Sequence, residues 1–207
     1  MRVPSISSNS IRVAPQQERS ARRLAAFLEA AEALFAEHGF EAATMQAIAD
    51  RSASSIGALY NYFPDKQAIA VTLLRKYSEE LRSRIRALMD RAETLSTRDF
   101  AVEFIDCIIQ FARDYPAWLN LLTAPVRFRR DAAARRALRL YLAQAFERKN
   151  PALSSERAML VANVSVQIAK GMMAVYTDSE PKMREAVIAE FRSVLAAYLE
   201  QVLAERS

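Results

Sequence analysis

Three glycines, at positions 39, 57 and 171, are all that a 207-residue chain offers for the positive-φ turns that join antiparallel strands. Abundant Ala, Leu and Arg, with only seven prolines, complete a composition suited to successive helices. The chain is therefore expected to be all-α, and it is long enough to bury a full-sized core without disulfides. Cys107 is the only cysteine, so an internal disulfide is excluded and a reducing, cytoplasmic location fits best, with the thiol buried as a small apolar side chain. Residues 1–19 lack the apolar stretch of a signal peptide and no later run holds 18 apolar residues, so no membrane association is expected.

The same scarcity removes chemistry. The three glycines lie too far apart for a phosphate-cradling loop. His38, the only histidine, leaves no Ser-His-Asp triad and few zinc sites. No catalytic residue, metal or cofactor is expected, and the chain does not read as an enzyme. His38-Gly39 instead closes an apolar helical pattern, where an imidazole complements the helix dipole and a glycine takes the left-handed cap.

From Ser20 the apolar positions Leu24, Phe27, Leu28, Ala31, Leu34 and Phe35 recur at three- and four-residue steps, which predicts a first helix with one buried face. Thr44 can cap a second, short helix that ends near Arg51. Residues 52–55, SASS, read as a turn with a new N-cap, and a third helix is expected over residues 56–63, stopped by Pro64. Asp65 then caps a long fourth helix. Two short helices joined by a tight turn and preceded by a longer one make a helix-turn-helix unit. In it Leu59 and Phe63 should pack inward, while Ser55, Gly57, Ala58, Tyr60 and Asn61 remain outside; Tyr62 fits either environment. Gly57 and Ala58 carry little bulk, so the helix backbone can approach base edges closely, and hydroxyls at the helix start can donate to phosphates.

Residues 28–69, LEAAEALFAEHGFEAATMQAIADRSASSIGALYNYFPDKQAI, resemble the DNA-binding domain of the TetR family of bacterial transcriptional regulators. The resemblance implies DNA contacts from Thr44 and Ser55 at helix N-termini, from Ile56, Gly57 and Ala58 near bases, from Tyr60, Asn61 and Tyr62 to the backbone, and from Lys66 to a phosphate. One departure stands out. Where the family usually reads Ala-Gly-Val-Ser, this chain has Ser52-Ala53-Ser54-Ser55, so Ala53 occupies a position where a left-handed backbone favours glycine.

Five arginines against Glu18 give residues 1–23 a net charge of +4, whereas residues 24–66 carry −4. The cations of the DNA-binding unit therefore sit on the arm, with Arg22 and Arg23 as its expected phosphate contacts, and at Lys66. A second basic run, residues 127–149 with a local +6, reads as a solvated helix face, with a second anion-binding surface as the alternative.

The expected domains are a basic arm over 1–19, the helix-turn-helix domain over 20–66, and a helical domain for ligand binding and dimerisation over 67–207. Phe104, Ile108, Phe111, Trp118, Leu122, Tyr141 and Met172 are candidates for the apolar lining of an effector pocket, with Asn163 and Gln167 as polar contacts, although such stripes also build plain core. Of the last two helical patterns the first is apolar on more than one face, and a helix that must hide more than one face needs a partner beyond its own domain. Val164, Ile168, Gly171, Phe191, Leu195, Tyr198 and Val202 are the candidates for a four-helix interface with a second copy, an arrangement the resemblance also implies. The sequence thus reads as a homodimeric, ligand-responsive repressor of a pseudo-palindromic operator on double-stranded DNA. The alternative is a helical ligand-binding or interaction protein that has lost DNA binding.

Overall fold

The computed structural model describes residues 13–126 and 132–204. Among the described residues it is all-α: α1 Val13–Ala42, α2 Met45–Arg51, α3 Ile56–Tyr60, α4 Lys66–Asp90, α5 Thr97–Asp114, α6 Pro116–Thr123, α7 Ala132–Lys149, α8 Ser155–Asp178 and α9 Arg184–Ala204. Short 3-10 turns at Ala92–Thr94 and Pro181–Met183 precede α5 and α9. Arg2, Arg12, Arg127, Arg129 and Arg130 of the two basic runs lie outside the described residues.

The helices form two compact units that divide inside α4 after Leu74, rather than at residue 66; Asn120 and the residues after it to 126 belong to the first unit. In the first unit Phe27, Ala31, Phe35, Ile48, Ala49, Leu59, Ile69 and Leu73 are excluded from solvent. Each large side chain among them contributes on the order of 1.5–3 kcal/mol by leaving water. Polar side chains at the helix starts satisfy amides that have no helical partner: Thr44 Oγ1 accepts from Ala47 N at 3.1 Å, Ser55 Oγ from Ala58 N at 3.2 Å, and Asp65 Oδ1 from Ala68 N at 2.7 Å.

Two boundaries differ from the sequence reading. α1 begins at Val13, before Ser20, and its Pro15 sits in the first turn, where a missing N–H costs no helical bond. It also does not stop at Gly39. The helix breaks there with φ 77° and ψ 171°, a conformation that belongs almost solely to glycine and is not the left-handed cap, and then resumes to Ala42. α3 ends at Tyr60 rather than Phe63, because Pro64 disfavours helical backbone in the residue before it.

In the second unit α5 packs on α9, α9 on α8, and α8 on α7. Its core is aromatic. Phe111 meets Trp118 edge-on with ring centroids 4.9 Å apart and Tyr115 at 4.7 Å, while Phe100 meets Phe146 at 5.7 Å. The cationic end of α7 is engaged rather than simply solvated: Arg148 donates to Met89 O at 3.0 Å and pairs with Glu93, and Lys149 donates to Leu95 O at 2.5 Å, its partial burial lowering the ammonium's pKa. Arg135 and Arg136 remain exposed.

Candidate nucleic-acid interface

The turn between α2 and α3 carries a left-handed residue without a glycine. Ala53 has φ +50°, the one positive φ outside glycine among the described residues. Ser54 N donates to Ala49 O at 2.9 Å and Ala53 N to Asp50 O at 3.0 Å. These two reversed bonds make a Schellman motif with Ala53 at the position glycine usually takes. The apolar contact that commonly seals such a motif is replaced by hydroxyls: Ser52 Oγ donates to Ala49 O at 2.9 Å, and Ser54 Oγ to Ser52 O at 3.2 Å. The turn thus takes at Ala53 the left-handed backbone that glycine favours.

That turn presents α3 with Leu59 fully buried and Phe63 nearly so, as expected. Ser55, Ile56, Gly57, Tyr60 and Asn61 are exposed, and Ala58 is half-buried. A Cβ added to Gly57 would meet nothing within 4 Å, so the protein's own packing does not require a glycine there. What the missing side chain leaves is bare helix backbone facing outward. Tyr62 divides its functions: the ring stands edge-on against Phe27 at 5.4 Å, and the hydroxyl lies 3.0 Å from Ser20 Oγ on α1.

The cations are distributed differently from the sequence reading. Lys66 was assigned to a phosphate, but its ammonium donates to the carbonyls of Phe40 at 2.7 Å, Glu41 at 2.8 Å and Ala43 at 2.8 Å. An ammonium has three N–H donors, and these oxygens use all of them. The break at Gly39 explains why the oxygens need a partner, since carbonyls around a helix end have no amide four residues on. Asn120 does the same on the other side of the break, donating to Phe35 O at 2.8 Å and Ala36 O at 3.2 Å, a contact across more than 80 residues that no sequence pattern announces. Arg51 is held by Glu37 through two bonds of 2.6 Å, which keeps the Glu37 carboxyl below its ordinary pKa. Arg19, Arg22 and Arg23 are exposed and form no ion pair among the described residues.

The second unit redistributes its expected sites. Phe104, Ile108, Phe111, Trp118 and Met172 are buried in the core, while Gln167 is exposed and Asn163 Oδ1 accepts from Arg139 Nε at 2.5 Å. Tyr141 is half-buried beneath the Arg86 guanidinium, and Leu122, in the first unit, is 40% exposed. An open cleft of about 430 Å³ in this unit is lined mainly by charged side chains, among them the ion pairs Arg91–Glu103 and Arg192–Asp106. Cys107 lies in its wall, and burial raises the thiol's pKa.

The expected dimer residues also divide. Leu195 and Val202 are 0% and 4% exposed within the chain, so they belong to its own core and cannot face a second copy. Val164, Ile168, Gly171, Phe191 and Tyr198 lie on the outward side, where Leu160, Val175 and Val194 are 45–50% exposed. Gly171 faces Phe191, and a Cβ there would make an ordinary contact with the ring at 3.8 Å, so the packing within the chain does not require glycine. By length and composition α8 is apolar enough to cross a membrane, but its two apolar faces, one buried against α7 and α9, account for that composition.

Two family models match the chain. Residues 27–73 match bacterial regulatory proteins of the tetR family, and residues 96–199 the tetracyclin repressor-like C-terminal domain. The chain belongs to the TetR family. Among curated TetR-family relatives it is 34% identical over 101 residues to the HTH-type transcriptional repressor KstR of Mycobacterium tuberculosis, covering 48% of this chain and 42% of the relative. To KstR of Rhodococcus jostii it is 38% identical over 79 residues, covering 38% of this chain and 33% of the relative. The matches span less than half the length of these relatives. A solved TetR-family transcriptional regulator from Pectobacterium atrosepticum superposes with a TM-score of 0.70 at 16% identity, covering 94% of this chain and 99% of that one, which shows a shared TetR fold.

Proposed function

We propose that this TetR-family chain is a homodimeric transcriptional repressor that reads a pseudo-palindromic DNA operator with α3. The observation that carries the reading is the outer face of α3: a glycine with no internal packing reason, flanked by exposed Ser55, Ile56, Tyr60 and Asn61, on a helix fixed from behind by Leu59 and Phe63. Backbone bared in this way can approach base edges in the major groove, while the surrounding hydroxyls and the arginines of α1 reach phosphates. Similarity to relatives named as repressors supports the sense of regulation.

Dimerisation is supported by the apolar side of α8 and α9 that faces away from the core, with Leu160, Val164, Ile168, Val175, Phe191 and Val194 on it. A contiguous apolar surface of this kind favours association with a like surface. Response to a small molecule rests on the family alone, and binding at the expected residues requires the Phe104–Phe111–Trp118 core to open. The test is a gel shift with DNA from upstream of the gene at several salt concentrations. A discrete, salt-sensitive complex supports the reading; equal, weak binding to every fragment contradicts it.

A further inference from the structure

The bond between Ser20 and Tyr62 joins α1 to the end of the reading helix, and nothing in the packing requires it. Tyr62 is already held by its ring, edge-on to the fully buried Phe27, and Ser20 lies on the exposed side of α1. Two hydroxyls 3.0 Å apart share one hydrogen bond. They carry two hydrogens between them, so one O–H remains to donate elsewhere, strengthened by the bond its oxygen already accepts.

The neighbouring charges indicate what it donates to. At about 100° per residue, Arg23, three positions on, and Arg19, one before, fall on one side of α1 beside Ser20. Both are exposed and form no ion pair among the described residues. Glu18, the only carboxylate in residues 17–23, is about 200° round the helix from Ser20. Tyr62 lies two residues past α3, so the hydroxyl pair stands at the end of the helix proposed to enter the groove. One free O–H donor and two cations, with no carboxylate on that side of α1 within residues 17–23, suit an anion with several acceptor oxygens.

We infer that Ser20 and Tyr62 act as one unit that binds a backbone phosphate of the operator, with Arg19 and Arg23 as its electrostatic flank. This rests on the DNA-binding reading and adds Ser20 and Arg19 to it. The pair orients the donor; the arginines supply charge.

The experiment is a double-substitution cycle, Ser20→Ala, Tyr62→Phe and both together, measured on DNA selected by the unaltered protein. Alanine suits an exposed helical position and phenylalanine keeps the ring on Phe27, so unchanged thermal midpoints are expected. Each single change should weaken binding about tenfold, the scale of a hydrogen bond to a charged group. The double change should be no weaker than the worse single, because the second hydroxyl has lost its role once the first is gone. None of the three should alter the slope of log affinity against log salt, whereas Arg23→Gln should flatten it by about 0.9 for each protomer. Ethylation of phosphates should show one interfering phosphate in each half-site that becomes silent in Ser20→Ala. Wild-type affinity in Ser20→Ala, or two effects that simply multiply in the double variant, overturns the inference while leaving α3's role intact. Failure of the unaltered protein to select any DNA overturns the parent reading itself.

Discussion

The Lys66 ammonium donates to the carbonyl of Phe40 at 2.7 Å while standing 4.6 Å from the centroid of the same residue's ring. One cation thus answers both the exposed end of a broken helix and an aromatic face, and the first residue of α4 fixes the link between α1 and α2. Lys66→Met should lower the free energy of urea unfolding by about 1–3 kcal/mol through carbonyls left without a donor. The salt slope of DNA binding should not change. A flattened slope with unaltered stability would return Lys66 to a phosphate.

Ala53 sets a second expectation. Its φ of +50° costs an L-residue with a Cβ about 1–2 kcal/mol, and glycine recovers this less the roughly 0.4–1 kcal/mol of freedom it adds to the unfolded chain. Ala53→Gly should therefore stabilise by up to about 1.6 kcal/mol in urea unfolding, with DNA affinity held or improved. Ala53→Val should destabilise, because a β-branched residue fits positive φ poorly. Destabilisation by glycine would contradict the motif described here.

Adjacent residues of α9 separate folding from association. Leu195 is fully buried and Val194 is 50% exposed. Leu195→Arg should abolish the cooperative fold, since an unpaired buried charge costs about 3–5 kcal/mol. Val194→Arg and Leu160→Arg should leave helicity intact and convert the proposed dimer to monomer in sedimentation. Dimers persisting in both outward variants would remove this face as the interface.

Acid should weaken the first unit through Glu37. Its carboxyl is held low chiefly by the hydrogen bonds from Arg51, so the pair's contribution is present above the ordinary carboxylate pKa and is lost as pH falls through the depressed folded value. Both partners are well exposed, so the effect is small. Stability measured from pH 6 down to pH 3 should fall more in the unaltered protein than in Glu37→Gln, and equal slopes would dismiss the pair as a contributor.

The caps and the turn were legible in the sequence because their causes are local. A hydroxyl or carboxylate before a helical pattern has one main use, and Thr44, Ser55 and Asp65 all serve it. Lys66 was misread because its partners are backbone oxygens 23–26 residues away, and no residue type marks an orphaned carbonyl. Leu195 and Val202 were misassigned because α9 is apolar round more than one face; only its packing against α5 and α8 shows which stripe is inward. The aromatic stripe of α5 has the same spacing whether it lines a pocket or fills a core, and here Phe111 fills core against Tyr115 and Trp118.

Selection from a random DNA pool by the full-length protein bears most directly on the claim that two α3 helices read DNA together. The recovered sites should share a two-fold symmetric sequence whose half-site centres lie one turn, about 34–36 Å, or a small whole number of turns apart, and Val194→Arg should recover it far less efficiently. A pool without enrichment, or a single asymmetric site recovered equally well by the monomeric variant, would contradict it.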